Sequence, residues 1–249
     1  MIRGLYTSAS GMLAESVRND VTANNLANAN TTGYKKDTAI IASFPDMLLY
    51  RLNDQRKGEV QPPAIGKLGT GALVDEVITD HGEGQLKETS SFFDLAIAGD
   101  GYFTVETPAG QRYTRNGSFS LNRDGYLVTN QGYYVLGQAG RIRADGEFKV
   151  DNNGNVFVNG GQTDTLRIVT FADPRQLTKI GDTLFTAAQQ GDQTNARVVQ
   201  KYLETSNINP ITEMVNMIAI MRAYEANQKA IQAHDSTLDK AVNSVGSVK

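Results

Sequence analysis

Glycine is distributed unevenly along the 249-residue chain, with 17 of its 24 glycines falling between Gly66 and Gly161. The middle is therefore built differently from the ends. Asp100-Gly101, Asn116-Gly117, Asp124-Gly125, Asp145-Gly146 and Asn153-Gly154 punctuate it, and such pairs supply the positive φ angles of tight hairpin turns. Between them lie short runs of aromatic and β-branched residues: Tyr102–Val105, Ser118–Leu121, Tyr126–Thr129, Phe148–Val150 and Val156–Val158. This pattern predicts a compact body of antiparallel strands. The run Leu166–Phe171 extends it until Asp173-Pro174 interrupts.

The ends have helical periodicity instead. Met217, Tyr224, Ile231, Leu238 and Val245 repeat every seven residues, with Met214, Met221 and Val242 in an adjoining column. Asn209 stands where a helix cap belongs, Pro210 suits the first helical position, and Glu213 lies in the first turn, where the helix dipole favours negative charge. A helix is predicted from about Pro210 to about Asn243. Leu5, Ala9, Met12, Leu13, Val17, Val21 and Leu26 form a second helical stripe that ends before Gly33, a natural stop. Two amphipathic helices at opposite ends of a chain bury their seams most simply against one another, so the termini are expected to lie together. The fold class is α+β: paired terminal helices forming a coiled-coil-like inner domain, plus a central all-β domain. The expected domains are a helical assembly domain of 1–33 and 205–249, extended or β linkers of 34–84 and 185–204, and a central β domain of 85–184.

Asn19, Asn24, Asn25, Asn28 and Asn30 load the first helix with poor helix formers, each costing roughly half a kcal/mol relative to alanine. Two readings stand: the helix orders on assembly through bonds these amides make across subunits, or it ends near Asn24.

Composition removes several functions. Twenty-four Lys and Arg against 27 Asp and Glu give a formal charge of −3, which offers no basic field for a nucleic acid. The absence of cysteine excludes disulfides, thiolate nucleophiles and thiolate metal sites. No secretory signal is visible at the N-terminus, and no apolar stretch approaches the roughly 20 residues needed to cross a bilayer. His81 and His234 lack metal-ligand spacing and read as surface residues, so no metal or cofactor is expected. Gly66–Gly71 lacks the Gly-Lys-Ser/Thr ending of a phosphate loop. Asp151, Asn153 and Asn155 have calcium-ligand spacing, yet Val156 stands where that loop needs glycine and Gln162 where it needs glutamate. A glycosidase pair among Asp94, Asp100, Asp124 and Asp145 is undercut because three of the four precede glycine in turns. The chain is not expected to be an enzyme.

Three segments resemble the flagellar rod and hook axial protein family, and within it the basal-body rod members. They are TANNLANANTTGYKK (22–36); DLAIAGDGYFTV with YTRNGSFSLNRDGYLVTNQGYYVLG (94–105 and 113–137); and ETSNINPITEMVNMIAIMRAYEANQKAI (204–231). They cover about a third of the chain, in the family's order. The resemblance implies a structural subunit whose terminal helices are disordered in the monomer and pair into an inner layer as copies polymerise helically into a hollow tube. It further implies export by the flagellar type III apparatus without signal cleavage, a place in the rod within the cell envelope, torque transmission from motor to hook, and other rod proteins and the hook as partners. Length suits the proximal-rod F type or the distal-rod G type; the stretch Ser43–Leu49 departs from the G pattern and tilts the choice towards F, or a close paralogue of both.

In this reading the site residues are assembly contacts. Leu5, Met12, Val17, Val21 and Leu26 are expected to pack against Met214, Met217, Met221, Tyr224, Ile231 and Leu238. Asn24, Asn25 and Asn28 with Asn207 and Asn209 supply polar contacts at the helix ends, and Arg222 and Glu225 face each other at i,i+3. The rival from another class is a secreted carbohydrate-binding or adhesive β protein displaying Tyr113, Tyr126, Tyr133 and Tyr134 as an aromatic row.

Overall fold

A computed structural model describes residues 2–50, 64–181, 183–194 and 196–245. The chain divides into two compact units: Met1–Asn24, Asp37–Ile78 and Ile211–Lys249 form one, and Asn25–Lys36 with Thr79–Pro210 form the other. Residues 51–63 of the expected linker and 246–249 of the expected helical domain lie outside the described residues.

The first unit holds nearly all of the two long helices, α1 (Ile2–Ala27) and α2 (Pro210–Lys240), the latter running into a π-helical turn, Ala241–Val245. α2 begins at Pro210, as Pro at the first helical position dictates, and carries Glu213 in its first turn and Lys240 in its last, both signs matching the helix dipole. The helices run antiparallel, since Gly4 lies against the His234 ring while Gly11 lies against the Asn227 amide, seven residues on in one helix and seven back in the other. The stretch 37–78 holds two strand pairs. Asp37–Ser43 pairs with Ala72–Thr79, and Met47–Tyr50 pairs antiparallel with Ala64–Leu68, Met47 opposite Leu68.

The second unit is the β body. Its main sheet runs, in spatial order, through Leu177–Ile180, Leu184–Ala187, Gly110–Thr114, Tyr102–Thr107, Tyr134–Val135, Leu127–Thr129 and Phe119–Leu121. Ile168–Thr170 also pairs with the central strand and carries Asp192–Gln193 beside it. Phe148–Val150, Asn155–Val158 and Gly161–Thr165 form a separate three-stranded meander. Alternation along the central strand sends Phe103 and Val105 into the larger core, with Leu95, Leu127, Ile142 and Val156. Tyr102 goes to the opposite face, where it meets Tyr113, Val169, Leu177 and Phe185. The stretch 185–204, expected as linker, is built into this unit: Arg197–Gln200 pairs with Leu95–Ala98, and Tyr202–Glu204 with Leu86–Glu88.

Four of the expected turn glycines, Gly101, Gly125, Gly146 and Gly154, have positive φ. Gly117 does not; its demand is for space, because a Cβ there would run into the Leu95 carbonyl. The outer edge of Phe148–Val150 is closed by a side chain. Val150 N–H donates to Gln200 Oε1 (3.2 Å), and Gln200 Nε2 donates to the carbonyls of Phe148 (3.2 Å) and Phe92 (2.7 Å). The amide thereby caps groups that would otherwise invite another strand.

The exposed aromatic row that the rival carbohydrate-binding reading requires is not formed. Tyr113 is buried in the smaller core, and Tyr126, Tyr133 and Tyr134 are half-buried. Tyr126 and Tyr134 meet edge to face at 5.8 Å, with the Arg141 guanidinium 4.2 Å above the Tyr134 ring. Their faces are used within the body, which removes the surface on which a glycan would stack.

Candidate functional site

The chain leaves α1 through a tight turn. Asn28 N–H bonds to Asn25 O (3.1 Å), Thr31 N–H to Asn28 O (3.0 Å), and the Thr31 hydroxyl to Asn28 Oδ1 (3.0 Å). Gly33 follows with φ +67°, pressed so closely on the Asn116 backbone that a Cβ has no room. Its N–H donates to the Glu204 carbonyl (2.8 Å), while the Thr32 hydroxyl donates to Asn116 Oδ1 (2.7 Å). Tyr34 is fully buried; its hydroxyl donates to Asn25 Oδ1 (3.4 Å) and the Lys179 ammonium caps its ring at 3.6 Å.

This turn delivers Lys35 into a buried charge cluster. The Lys35 ammonium, fully buried, donates to Glu204 Oε1 (2.5 Å) and to the Gly82 carbonyl (2.7 Å). Glu204 Oε1 also accepts from Gly84 N–H (2.9 Å), and Glu204 Oε2 lies 3.4 Å from Arg115 Nη1. Arg115 is held in turn by the carbonyls of Gly99 (2.7 Å) and Ile97 (3.3 Å), with half-exposed Glu83 at 4.0 Å. One buried carboxylate thus serves two buried cations. Burial drives the Lys35 pKa below 10.5 against the pull of Glu204, and the Arg115 charge adds to the depression. Beside the cluster Asn207 ties the same strands together: its Oδ1 accepts from Lys36 N–H (2.8 Å), and its Nδ2 donates to the carbonyls of Asp80 (3.0 Å) and Gly82 (3.3 Å).

The knot is a junction between distant parts of the chain. Its two cations share one carboxylate, Arg115 Nε is buried without a hydrogen-bond partner, and among the described residues no group of His, Cys, Asp and Glu is placed to hold a metal ion. What it does is join residues about 80 and 170 positions apart in the chain, Lys35 with Arg115 and Glu204. Sequence reasoning named Asn25, Asn28 and Asn207 but missed Lys35, Arg115 and Glu204, because isolated charged residues read by default as solvated. Their signal was position: each lies inside one of the three segments that carry the family resemblance.

The helices match the expected seam in part. Leu5, Met12, Val21 and Leu26 are half-buried on α1, as are Met217, Ile231 and Leu238 on α2. Val17 (38% exposed), Met214 (45%), Met221 (56%) and Tyr224 (39%) are not in the seam. The α2 column turned towards α1 is Ile220, Asn227 and His234, one residue or about 100° from the expected Met214–Met221 column. The reason is the pair of α1 glycines. Gly4 and Gly11 carry no side chain, and the space is taken by the side chains of His234 and Asn227, which lie in against α1. His234 is therefore an interhelical residue and not a surface one. Asn24 and Asn209 are exposed; Arg222 and Glu225 are also exposed and make no ion pair among the described residues.

Lys35, Arg115 and Glu204 each fall within a separate family match. Residues 5–35, with Gly33 and Lys35, match the family described as "Flagella basal body rod protein". Residues 96–158, with Arg115 and Asn116, match "Flagellar hook protein FlgE/F/G D1 domain", and residues 199–244, with Glu204 and Asn207, match "Flagellar basal body rod FlgEFG protein C-terminal". The three matches cover α1, part of the β body and α2, and all describe flagellar basal-body or hook proteins. Similar proteins extend over the whole length. The flagellar basal-body rod protein FlgG of Borreliella burgdorferi is 35% identical over 98% of this chain and 98% of its own. FlgG of Bacillus subtilis is 34% identical over 98% and 99%, and the flagellar hook-basal body complex protein FlhO of the same organism 32% over the full length of both. The chain belongs to the flagellar basal-body rod protein family, of the F/G type, and is a structural rod subunit.

Proposed function

We propose that the subunit self-associates helically through an outward apolar face of its terminal helices, forming the hollow drive shaft that carries torque from motor to hook. The observation that carries this reading is a second stripe on α2. Ile211, Met214, Val215, Ile218 and Met221 are linked by i,i+3 and i,i+4 spacings along one face, with Met214 and Val215 adjacent, and each is 45% to 70% exposed. Contiguous apolar surface of this kind marks an interaction site. Full burial of such a side chain is worth about 1.5–3 kcal/mol, so covering the exposed part of five gives roughly 4–8 kcal/mol per copy before association costs. α1 adds Tyr6 (67% exposed), Leu13 (71%) and Val17. Other rod proteins and the hook are the proposed neighbours, and the flagellar type III apparatus the proposed exporter, with the assembled rod lying in the cell envelope. No helix among the described residues is long and apolar enough to cross a membrane.

Met221→Asp places a charge in the middle of the stripe. The purified variant is expected to stay monomeric in sedimentation while its β body keeps its thermal transition; filaments formed as readily as by the unaltered chain overturn the proposal.

A further inference from the structure

We propose that Met214 and Met221 are oxidation sites whose conversion to sulfoxides blocks assembly, an inference that rests on the stripe being the association face. The chain has six methionines but no cysteine and no tryptophan, so thioethers are its most readily oxidised side chains. The structure sorts them. Met214 and Met221 stand one heptad apart on the exposed stripe, 45% and 56% exposed, whereas Met217 between them and Met12 on α1 are half-buried. A helix thus presents every other methionine of its Met214–Met217–Met221 ladder to a dissolved oxidant.

With a hydroperoxide as oxidant, the Sδ lone pair attacks one peroxide oxygen. The O–O bond breaks, an S–O bond forms, and the second oxygen leaves as water or alcohol after taking up the proton. The thioether loses two electrons and the peroxide gains them. The product is a polar, chiral side chain where an apolar, adaptable one stood. Two such groups, two turns apart, sit on either side of Ile218 at the centre of the stripe. Each has to be desolvated for a second copy to cover it, which raises the concentration needed for assembly by about tenfold per site. Subunits are open to this damage before they assemble and protected afterwards. Replacing both residues by leucine conserves volume and apolarity and removes the sulfur.

The test treats the purified full-length chain and its Met214→Leu/Met221→Leu variant with hydrogen peroxide, maps oxidation by peptide mass spectrometry, and follows assembly by sedimentation. Met47, 54% exposed on its strand, stays oxidisable in both proteins and serves as the internal control. The expected result is that Met214 and Met221 oxidise ahead of Met12 and Met217, that the oxidised chain fails to sediment, and that peroxide shifts the concentration at which the leucine variant assembles far less than it shifts that of the unaltered chain. Equal oxidation at all four helix positions, undiminished assembly of the oxidised chain, or an equal shift in the leucine variant each overturns the proposal. An untreated chain that never sediments overturns the assembly reading beneath it, and the peptide map is then judged separately.

Discussion

Glu204 is the residue whose loss the β body should feel most. Its carboxylate neutralises Lys35 at 2.5 Å and Arg115 at 3.4 Å and accepts the Gly84 N–H, and it is 2% exposed. Glu204→Ala leaves two cations buried with only half-exposed Glu83 near them, 4.0 Å from Arg115. Breaking a buried pair from one side costs about 3–5 kcal/mol, which for a unit of this size lowers the melting temperature by roughly 6–20 °C. Thermal and urea unfolding followed by circular dichroism give the value. The cycle partner is Lys35→Met. In that variant Glu204 keeps Arg115 and Gly84, so the loss is smaller. In Lys35→Met/Glu204→Ala one buried cation disappears with the anion, so the double variant should lose less than the sum of its parent single variants by about 1–3 kcal/mol. A loss below about 1 kcal/mol in Glu204→Ala, within the range of an ordinary surface pair, or strict additivity in the cycle, refutes the argument that the knot acts as one unit.

Gly11→Leu should destabilise the helical unit by about 1–3 kcal/mol, because its side chain has to displace the Asn227 amide, whereas Gly11→Ala stays near neutral as gained helix propensity offsets the crowding; exchange rates of α1 amides report both. Gln200→Ala uncovers Val150 N–H and the Phe148 carbonyl, costing about 1–3 kcal/mol and promoting aggregation that light scattering detects. Burial pushes the Tyr102 phenol up to about 12 from 10.0, so between these values the unfolded chain has released a proton that the native chain keeps, and stability falls as pH rises; a Tyr102→Phe variant should show a shallower alkaline loss in urea titrations, the difference being on the order of 3 kcal/mol. Lys35 acts in the opposite sense: between its lowered pKa and 10.5 the unfolded chain binds more protons, so its contribution rises with pH and is missing in Lys35→Met.

What the sequence discloses is local. Asp124-Gly125 and Asn153-Gly154 mark turns because the φ demand lies within two residues. The helix starting at Pro210 is legible because its cap, first turn and stripe adjoin. The rotation of α2 is a different kind of fact. Met221 and Ile220 are both apolar and adjacent, and which of them turns inwards depends on the glycines of α1, some 200 residues away in the chain. Gly117 looks like a turn glycine until the Leu95 carbonyl is placed beside it. Lys35 illustrates the limit most clearly: apart from its place in a family-like segment its local pattern does not separate it from exposed Lys67, and its charge partners Glu204 and Arg115 are brought by the fold from elsewhere.

The most direct test of the account is hydrogen exchange, measured by mass spectrometry on the monomer and on the assembled form. The account requires that the segments around Gly33–Lys36, Thr114–Gly117 and Glu204–Asn207 be protected already in the monomer, because the knot belongs to a single chain, and that residues 211–221 of α2 gain protection on assembly, because their apolar face is then covered. Rapid exchange through the knot in the monomer, or no change along 211–221 between the two states, contradicts it.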